Sequence, residues 1–345
     1  MRLFIGTTTR PRYRYCGLLL LAGVFCSKRV RTTTTRSNEL EPSSFSVATA
    51  MVSSSSSASS SSSASIIHAT VSSTSPQKPL IIFCHGSGDT GSGAQAWLQQ
   101  LLPADEYARW DWVFPTATPR PYALEGNVMS SVWYDRIGGF APSYPEHTMS
   151  VEQSTTHLLQ LLQHEISMKR RPPSSILLGG FSMGGAIAYQ TAVRWQCQQQ
   201  PHQGTAVTED GARVYPSSSS LGGIFGLSCY LNDDSKVWTL LQQQQAKKNN
   251  TNSSIPWPPM YIAHGGCDAF IPPKWGVTTK ERFVQDGGIP TIHFTLVPTL
   301  QHDMTTDELV DVLAFFRTNM HDNNTNDEDA GRHEACEQII IQTNK

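Results

Sequence analysis

From about residue 80 onward, short apolar runs alternate with amphipathic stretches. Residues 80–84 (LIIFC), 112–114, 176–178, 221–229 (LGGIFGLSC), 260–263 (MYIA) and 291–297 (TIHFTLV) are apolar and bounded by Gly, Pro or Ser. Runs of that length and content predict at least six strands, most of them buried. Two helices between them are marked at their starts. Ser150 with Gln153 forms a capping-box pattern ahead of Val151, Leu158, Leu159, Leu162 and Ile166, and the pair Pro172-Pro173 stops the chain. Thr305 with Glu308 does the same ahead of Leu309, Val312, Leu313 and Phe316. Strands alternating with helices predict an α/β domain built on a mainly parallel sheet with helices on both faces.

Composition divides the chain unevenly. Residues 53–65 are almost all Ser, and Ser and Thr dominate as far as Ser75. Such a stretch has too little apolar area to offset its ordering entropy. The expected organisation is therefore a disordered Ser-rich extension over 1–78, a catalytic domain over 79–320 and a loose tail over 321–345. Two Gln-, Asn- and Ser-rich segments, 198–220 and 242–255, read as disordered surface insertions. The formal net charge of -2 excludes nucleic acid as a partner, because phosphate binding needs clustered Lys and Arg. The seven cysteines form no C-x-x-C pair, which fits a reducing, cytoplasmic setting for the catalytic domain and supports neither a zinc nor a redox site. Residues 1–50 have three readings: a signal peptide, an organelle transit peptide, or an upstream extension ahead of a start at Met51.

Candidate chemistry sits where the strands end. Gly180-Phe181-Ser182-Met183-Gly184 is a G-x-S-x-G pentapeptide, preceded by a strand run and followed by a helix-like stretch of small residues. That order, strand then sharp turn then helix, is what a nucleophile elbow requires, and it predicts the α/β-hydrolase fold with Ser182 as nucleophile. In that fold the partners follow in the order Ser, acid, His. Asp268, in the Gly-rich turn after 260–263, is the candidate acid, ahead of Asp233, Asp234 and Asp286. His302, in the loop between the last strand and the last helix, is the candidate base. His293 reads as a satisfied strand histidine. The backbone N–H groups of Met183 and Ser87 are the expected oxyanion donors, with His85 bracing the Ser87 turn. Trp133, Phe270 and Ile271 are candidates for an acyl groove. No metal motif and no cofactor signature occurs.

Several of these segments together resemble the acyl-protein thioesterase and carboxylesterase group, the phospholipase/carboxylesterase family. They are His85-Gly86-Ser87-Gly88-Asp89-Thr90-Gly91, Phe114-Pro115-Thr116-Ala117, Ser131-Val132-Trp133-Tyr134-Asp135, the Gly179 to Gly185 elbow and Leu227-Ser228-Cys229. The chain departs from the family at Met183, where Gln is common. It departs also at Asp268-Ala269-Phe270, in place of Asp-Pro, and at Thr299-Leu300-Gln301 before His302. The resemblance implies cofactor-free hydrolysis of thioesters of acylated proteins, or of lysophospholipid and other carboxylic esters. It leaves room for peripheral membrane contact. Two alternatives stand beside it: a general carboxylesterase on short soluble esters, and a ligand-binding protein on a hydrolase scaffold.

Overall fold

The computed structural model describes residues 66–69, 77–199, 220–250, 255–290 and 292–325. In chain order the strands are β1 (Ile66–Ala69), β2 (Leu80–Cys84), β3 (Asp111–Pro115), β4 (Pro119–Tyr122), β5 (Val128–Ser131), β6 (Ile176–Phe181), β7 (Gly223–Leu227), β8 (Met260–Gly265) and β9 (Ile292–Val297). The helices are α1 (Gly91–Leu101), α2 (Ala104–Tyr107), α3 (Thr148–Ser167), α4 (Met183–Gln198), α5 (Lys236–Asn250), α6 (Pro273–Gly287) and α7 (Thr306–Thr325). Seven strands form one sheet in the order β1-β3-β2-β6-β7-β8-β9, while β4 and β5 pair as a separate hairpin. Every neighbour in the large sheet is parallel except β1, which runs antiparallel to β3.

Apart from β9 at the sheet edge, whose residues are only partly buried, the apolar strand runs are explained by burial on both faces. Leu80, Ile82 and Cys84 of β2 join a core with residues of α3, α4, α5 and α6. Ile81 and Phe83 point the other way, into a second core with α1 and α7. A period-2 side-chain alternation that is apolar at every position is the mark of a sheet covered by helices on both sides. The six expected strands are all present. The 221–229 run forms only Gly223–Leu227, because Ser228 takes a left-handed φ of 48° and ends the extended backbone.

Four expectations need correction. Residues 66–69, placed in the disordered extension, form β1; the pair Ile66-Ile67 favours a strand, and backbone pairing to β3 supplies the hydrogen bonds. Helix α3 starts at Thr148 with His147 at its N-cap, so Ser150 does not cap it. Instead the Ser150 hydroxyl accepts the Asp135 N–H at 3.0 Å and donates to the His147 carbonyl. Helix α5 runs through most of the second expected insertion, because Gln and Lys are good helix formers and Gln242 and Gln244 bond to Asp286 and the Cys197 carbonyl. Helix α7 continues to Thr325, past the expected boundary at 320, since no Gly or Pro interrupts it. The first insertion lies outside the described residues over 200–219. Among the described residues no helix is long and apolar enough to cross a membrane.

Candidate active site

The sharpest backbone feature of the sheet lies at the end of β6. Ser182 has φ 55° and ψ -124°, a combination a non-glycine residue adopts only under strain, and its N–H is pinned to the Leu227 carbonyl at 2.8 Å. The flanking glycines are required by close approach. A Cβ on Gly180 would come within 2.3 Å of the Cys84 carbonyl oxygen, and one on Gly184 within 2.0 Å of that same oxygen. The two positions let strand β2, the turn and α4 meet with no side chain between them. Met183 opens α4, so its N–H is one of the first-turn donors with no partner inside the helix.

The acid and base arrive on two turns packed against each other. After β8 the chain turns through Gly265, Gly266 and Cys267. A Cβ on Gly265 would lie 2.3 Å from the Gln301 carbonyl oxygen, so only glycine lets this turn touch the loop carrying His302. Cys267 N–H bonds to the Leu300 carbonyl at 2.9 Å and ties the two turns together. Asp268 is 3% exposed and its oxygens are divided. Oδ1 accepts the N–H groups of Phe270 (2.9 Å) and Ile271 (2.8 Å), and Oδ2 accepts His302 Nδ1–H at 2.7 Å. His302 Nε2 then accepts the Ser182 hydroxyl at 2.9 Å. The three residues named from the sequence are thus brought into one hydrogen-bonded line. The His302 ring lies between Phe181 (centroids 4.8 Å apart) and Phe270 (5.1 Å).

The turn after β2 lies beside the elbow. A Cβ on Gly86 would stand 3.7 Å from the Ser182 Cβ. The amides of Gly88 and Asp89 are engaged by the carbonyls of Ser131 and Gly86. Ser87 N–H, between Gly86 and Gly88, accompanies Met183 N–H as the expected pair of oxyanion donors. His85 is fully buried. Its Nε2 accepts Ala117 N–H at 3.0 Å and its Nδ1–H donates to the Gly86 carbonyl at 2.6 Å, a bracing role with burial holding the ring neutral.

The groove candidates separate. Trp133 is buried, with Nε1–H donating to the His85 carbonyl at 2.8 Å and its ring against His85, so it braces the turn from within. Ile271 is also buried, and its contribution is the N–H held by Asp268. Phe270 is 53% exposed and touches both His302 and Phe140, so it alone of the three stands at the rim.

The sequence reading did not single out His264. Its buried Nε2–H donates to the Ile271 carbonyl at 2.8 Å and lies 3.6 Å from Asp268 Oδ2. Burial lowers its pKa, so it braces the acid turn as a neutral ring. Its only local signal was a position four residues before Asp268. Among the described residues no group of three or more His, Cys, Asp or Glu is placed to hold a metal ion.

Residues 66–206 match the model of the phospholipase/carboxylesterase family. Over 251 residues the chain is 29% identical to lysophospholipase-like protein 1 of Mus musculus, covering 72% of this chain and 90% of that protein. It is 27% identical to acyl-protein thioesterase 1 of Saccharomyces cerevisiae, covering 71% and 94%. The crystal structure of acyl-protein thioesterase 2 from Zea mays superimposes with a TM-score of 0.53 at 24% identity, over 75% of this chain and all of that one. That last likeness shows a shared fold. Over residues 66–206 the chain resembles the phospholipase/carboxylesterase family, and its fold is that of the α/β-hydrolases.

Proposed function

We propose that the chain is a serine hydrolase of carboxylic esters and thioesters that works through an acyl-enzyme on Ser182. Its substrate class is acylated protein or lysophospholipid-like ester. The observation that carries this reading is the Ser182–His302–Asp268 line on a strained elbow at the end of β6. His302 Nε2 takes the hydroxyl proton as Ser182 Oγ attacks the carbonyl carbon. Asp268 keeps the Nδ1–H tautomer and offsets the imidazolium charge. Because Phe270 and Ile271 amides occupy its other oxygen, the carboxylate does not have to reorganise during the step. The tetrahedral oxygen is held by the Met183 and Ser87 N–H groups. His302 returns the proton to the leaving thiol or alcohol, and water repeats the sequence to release the acid.

The relatives named as an acyl-protein thioesterase and a lysophospholipase-like protein support this substrate class. Reading the chain as an esterase of short soluble esters draws on one observation. Phe140 and Phe270 meet edge to face at 4.9 Å beside His302, narrowing the rim that a long acyl chain would cross. A fluorophosphonate probe tests the nucleophile: it should label wild type and leave Ser182→Ala unlabelled, and equal labelling of both would remove Ser182 from that role. A panel of butyryl and palmitoyl groups, each as oxygen ester and thioester, separates the two substrate readings by kcat/KM.

A further inference from the structure

Both nitrogens of the His302 ring are committed to the triad, one to Asp268 and one to Ser182. The rest of the ring is met by two phenylalanines. The Phe181 ring centre lies 4.8 Å away with the planes tilted by 40°, and the Phe270 centre lies 5.1 Å away with a tilt of 56°. Phe181 is buried in the elbow and backed by Trp97, edge to face at 5.3 Å. Phe270 stands at the surface, 53% exposed.

An aromatic side chain this exposed is ordinarily free to turn away, but Phe270 is held on several sides. Its N–H donates to Asp268 Oδ1 at 2.9 Å, which ties its backbone to the acid. Its ring packs on His302 and, edge to face at 4.9 Å, on Phe140. Phe140 is itself anchored: its carbonyl accepts the Tyr230 hydroxyl, and that hydroxyl is held by Arg136. One residue thus grips two members of the triad, the acid through its amide and the base through its ring. It does so from Asp268-Ala269-Phe270, the turn in which the sequence departs from the family's Asp-Pro.

As acceptor of the Ser182 hydroxyl, the His302 ring is neutral at rest. It becomes an imidazolium once it has taken the proton. The new positive charge spreads over the whole ring, whereas Asp268 meets it only at Nδ1. An aromatic ring whose centre lies within about 6 Å attracts such a cation through its negative π face. That attraction is absent from the resting state and present in the tetrahedral one, so it acts on kcat and leaves KM alone.

We infer that Phe270 is a positioning residue for the base: with Phe181, its ring steadies His302 in the line between Asp268 and Ser182 and stabilises the imidazolium formed as Ser182 attacks. The inference rests on the serine-hydrolase reading above. It differs in its consequences from a place for the same ring in an acyl groove. A groove residue acts on KM and more strongly on longer acyl chains, while a contact with the imidazolium acts on kcat alike for every acyl group.

The experiment replaces Phe270 by 3,4,5-trifluorophenylalanine and by pentafluorophenylalanine, which keep the shape of the ring while withdrawing and then inverting the charge of its face. Phe270→Tyr and Phe270→Leu accompany them, and kcat and KM are measured with p-nitrophenyl acetate and p-nitrophenyl octanoate. Fluorination should lower kcat stepwise, by roughly two- to fivefold for the pentafluoro ring, equally for both esters and with KM within about twofold. Tyr should keep kcat within about twofold of wild type, and Leu should lose a factor comparable to the pentafluoro ring. The fluorinated rings remain informative if Leu disturbs the turn. Wild-type kcat in the pentafluoro variant overturns the inference, whatever Leu does. So does a loss confined to the octanoate or to KM, because that is the behaviour of a groove lining. A wild-type protein that no fluorophosphonate labels at Ser182 removes the underlying reading instead.

Discussion

The triad and the Arg136 cage are both buried polar clusters, one on each side of the Phe140–Phe270 pair, and they handle charge in opposite ways. In the triad each recorded hydrogen bond to Asp268 comes from a donor matched to the carboxylate: two amides on one oxygen and the His302 N–H on the other. In the cage the cation meets only phenols and ring faces, and its Nε has no acceptor among the described residues. The first cluster is satisfied at rest and ready to stabilise a transient imidazolium. The second has no carboxylate within 4 Å among the described residues, and its cation is offset only by phenol oxygens and ring faces. A third buried charge sharpens the contrast. Glu308, in the first turn of α7 behind the His302 loop, is 4% exposed with no cation within 4 Å among the described residues. Burial first, and Asp303 to a smaller extent, raise its pKa from 4.5 to about 7 against an opposing bond from Thr305. Where Arg136 stays charged, this carboxyl can shed its charge by holding a proton.

Three substitutions test that contrast, the largest effect first. Asp268→Asn keeps an oxygen for the Phe270 and Ile271 amides but loses the carboxylate that selects the His302 tautomer. Its kcat should fall by about 10⁴, by analogy with the same change in serine proteases, while thermal unfolding changes little. Activity within tenfold of wild type would show that another group orients His302. Glu308→Gln should act on stability and depend on pH. The folded carboxyl binds its proton more tightly than an unfolded one, so the native state carries more protons over this range. Its stability is therefore full below about 4.5, declines as pH rises through about 7 and is lowest above that. Gln removes the decline, so urea unfolding at pH 8 should show the variant more stable by up to about 3 kcal/mol, with no difference near pH 4. A gain independent of pH would assign the effect to packing.

Tyr230→Phe is the smallest of the three. It removes both the acceptor for Arg136 and the donor to the Phe140 carbonyl, and should cost about 1–3 kcal/mol of stability. The same denaturation measurement checks it. No loss would mean that the Arg136 cage is not held by its phenols.

Most of the architecture was legible because it depends on local patterns. Buried parallel strands read as apolar runs, and the elbow reads as G-x-S-x-G between a strand and a helix. Asp268 and His302 follow from their order and from sitting in turns after strands. What escaped notice depends on distant partners. Ser150 looked like a cap because its hydroxyl was counted toward its own helix, whereas it serves Asp135 and the His147 carbonyl. The Gln run of α5 reads as disordered from composition, yet Gln and Lys have good helix propensity. Trp133 gave no sign of its bond to the His85 carbonyl, 48 residues earlier in the chain. Arg136 gave no signal at all, since its burial depends on Tyr230, 94 residues later in the chain. A buried charge is recognisable only when its whole surroundings are known.

The central claim is that Ser182 carries the acyl group during turnover. Rapid quenching of a reaction with p-nitrophenyl palmitate or butyrate, followed by peptide mass spectrometry, reads this directly. The account predicts a burst of p-nitrophenol and the acyl mass on the peptide containing Ser182, with both absent from Ser182→Ala. A burst retained in Ser182→Ala, or an acyl mass on any other residue, would contradict it.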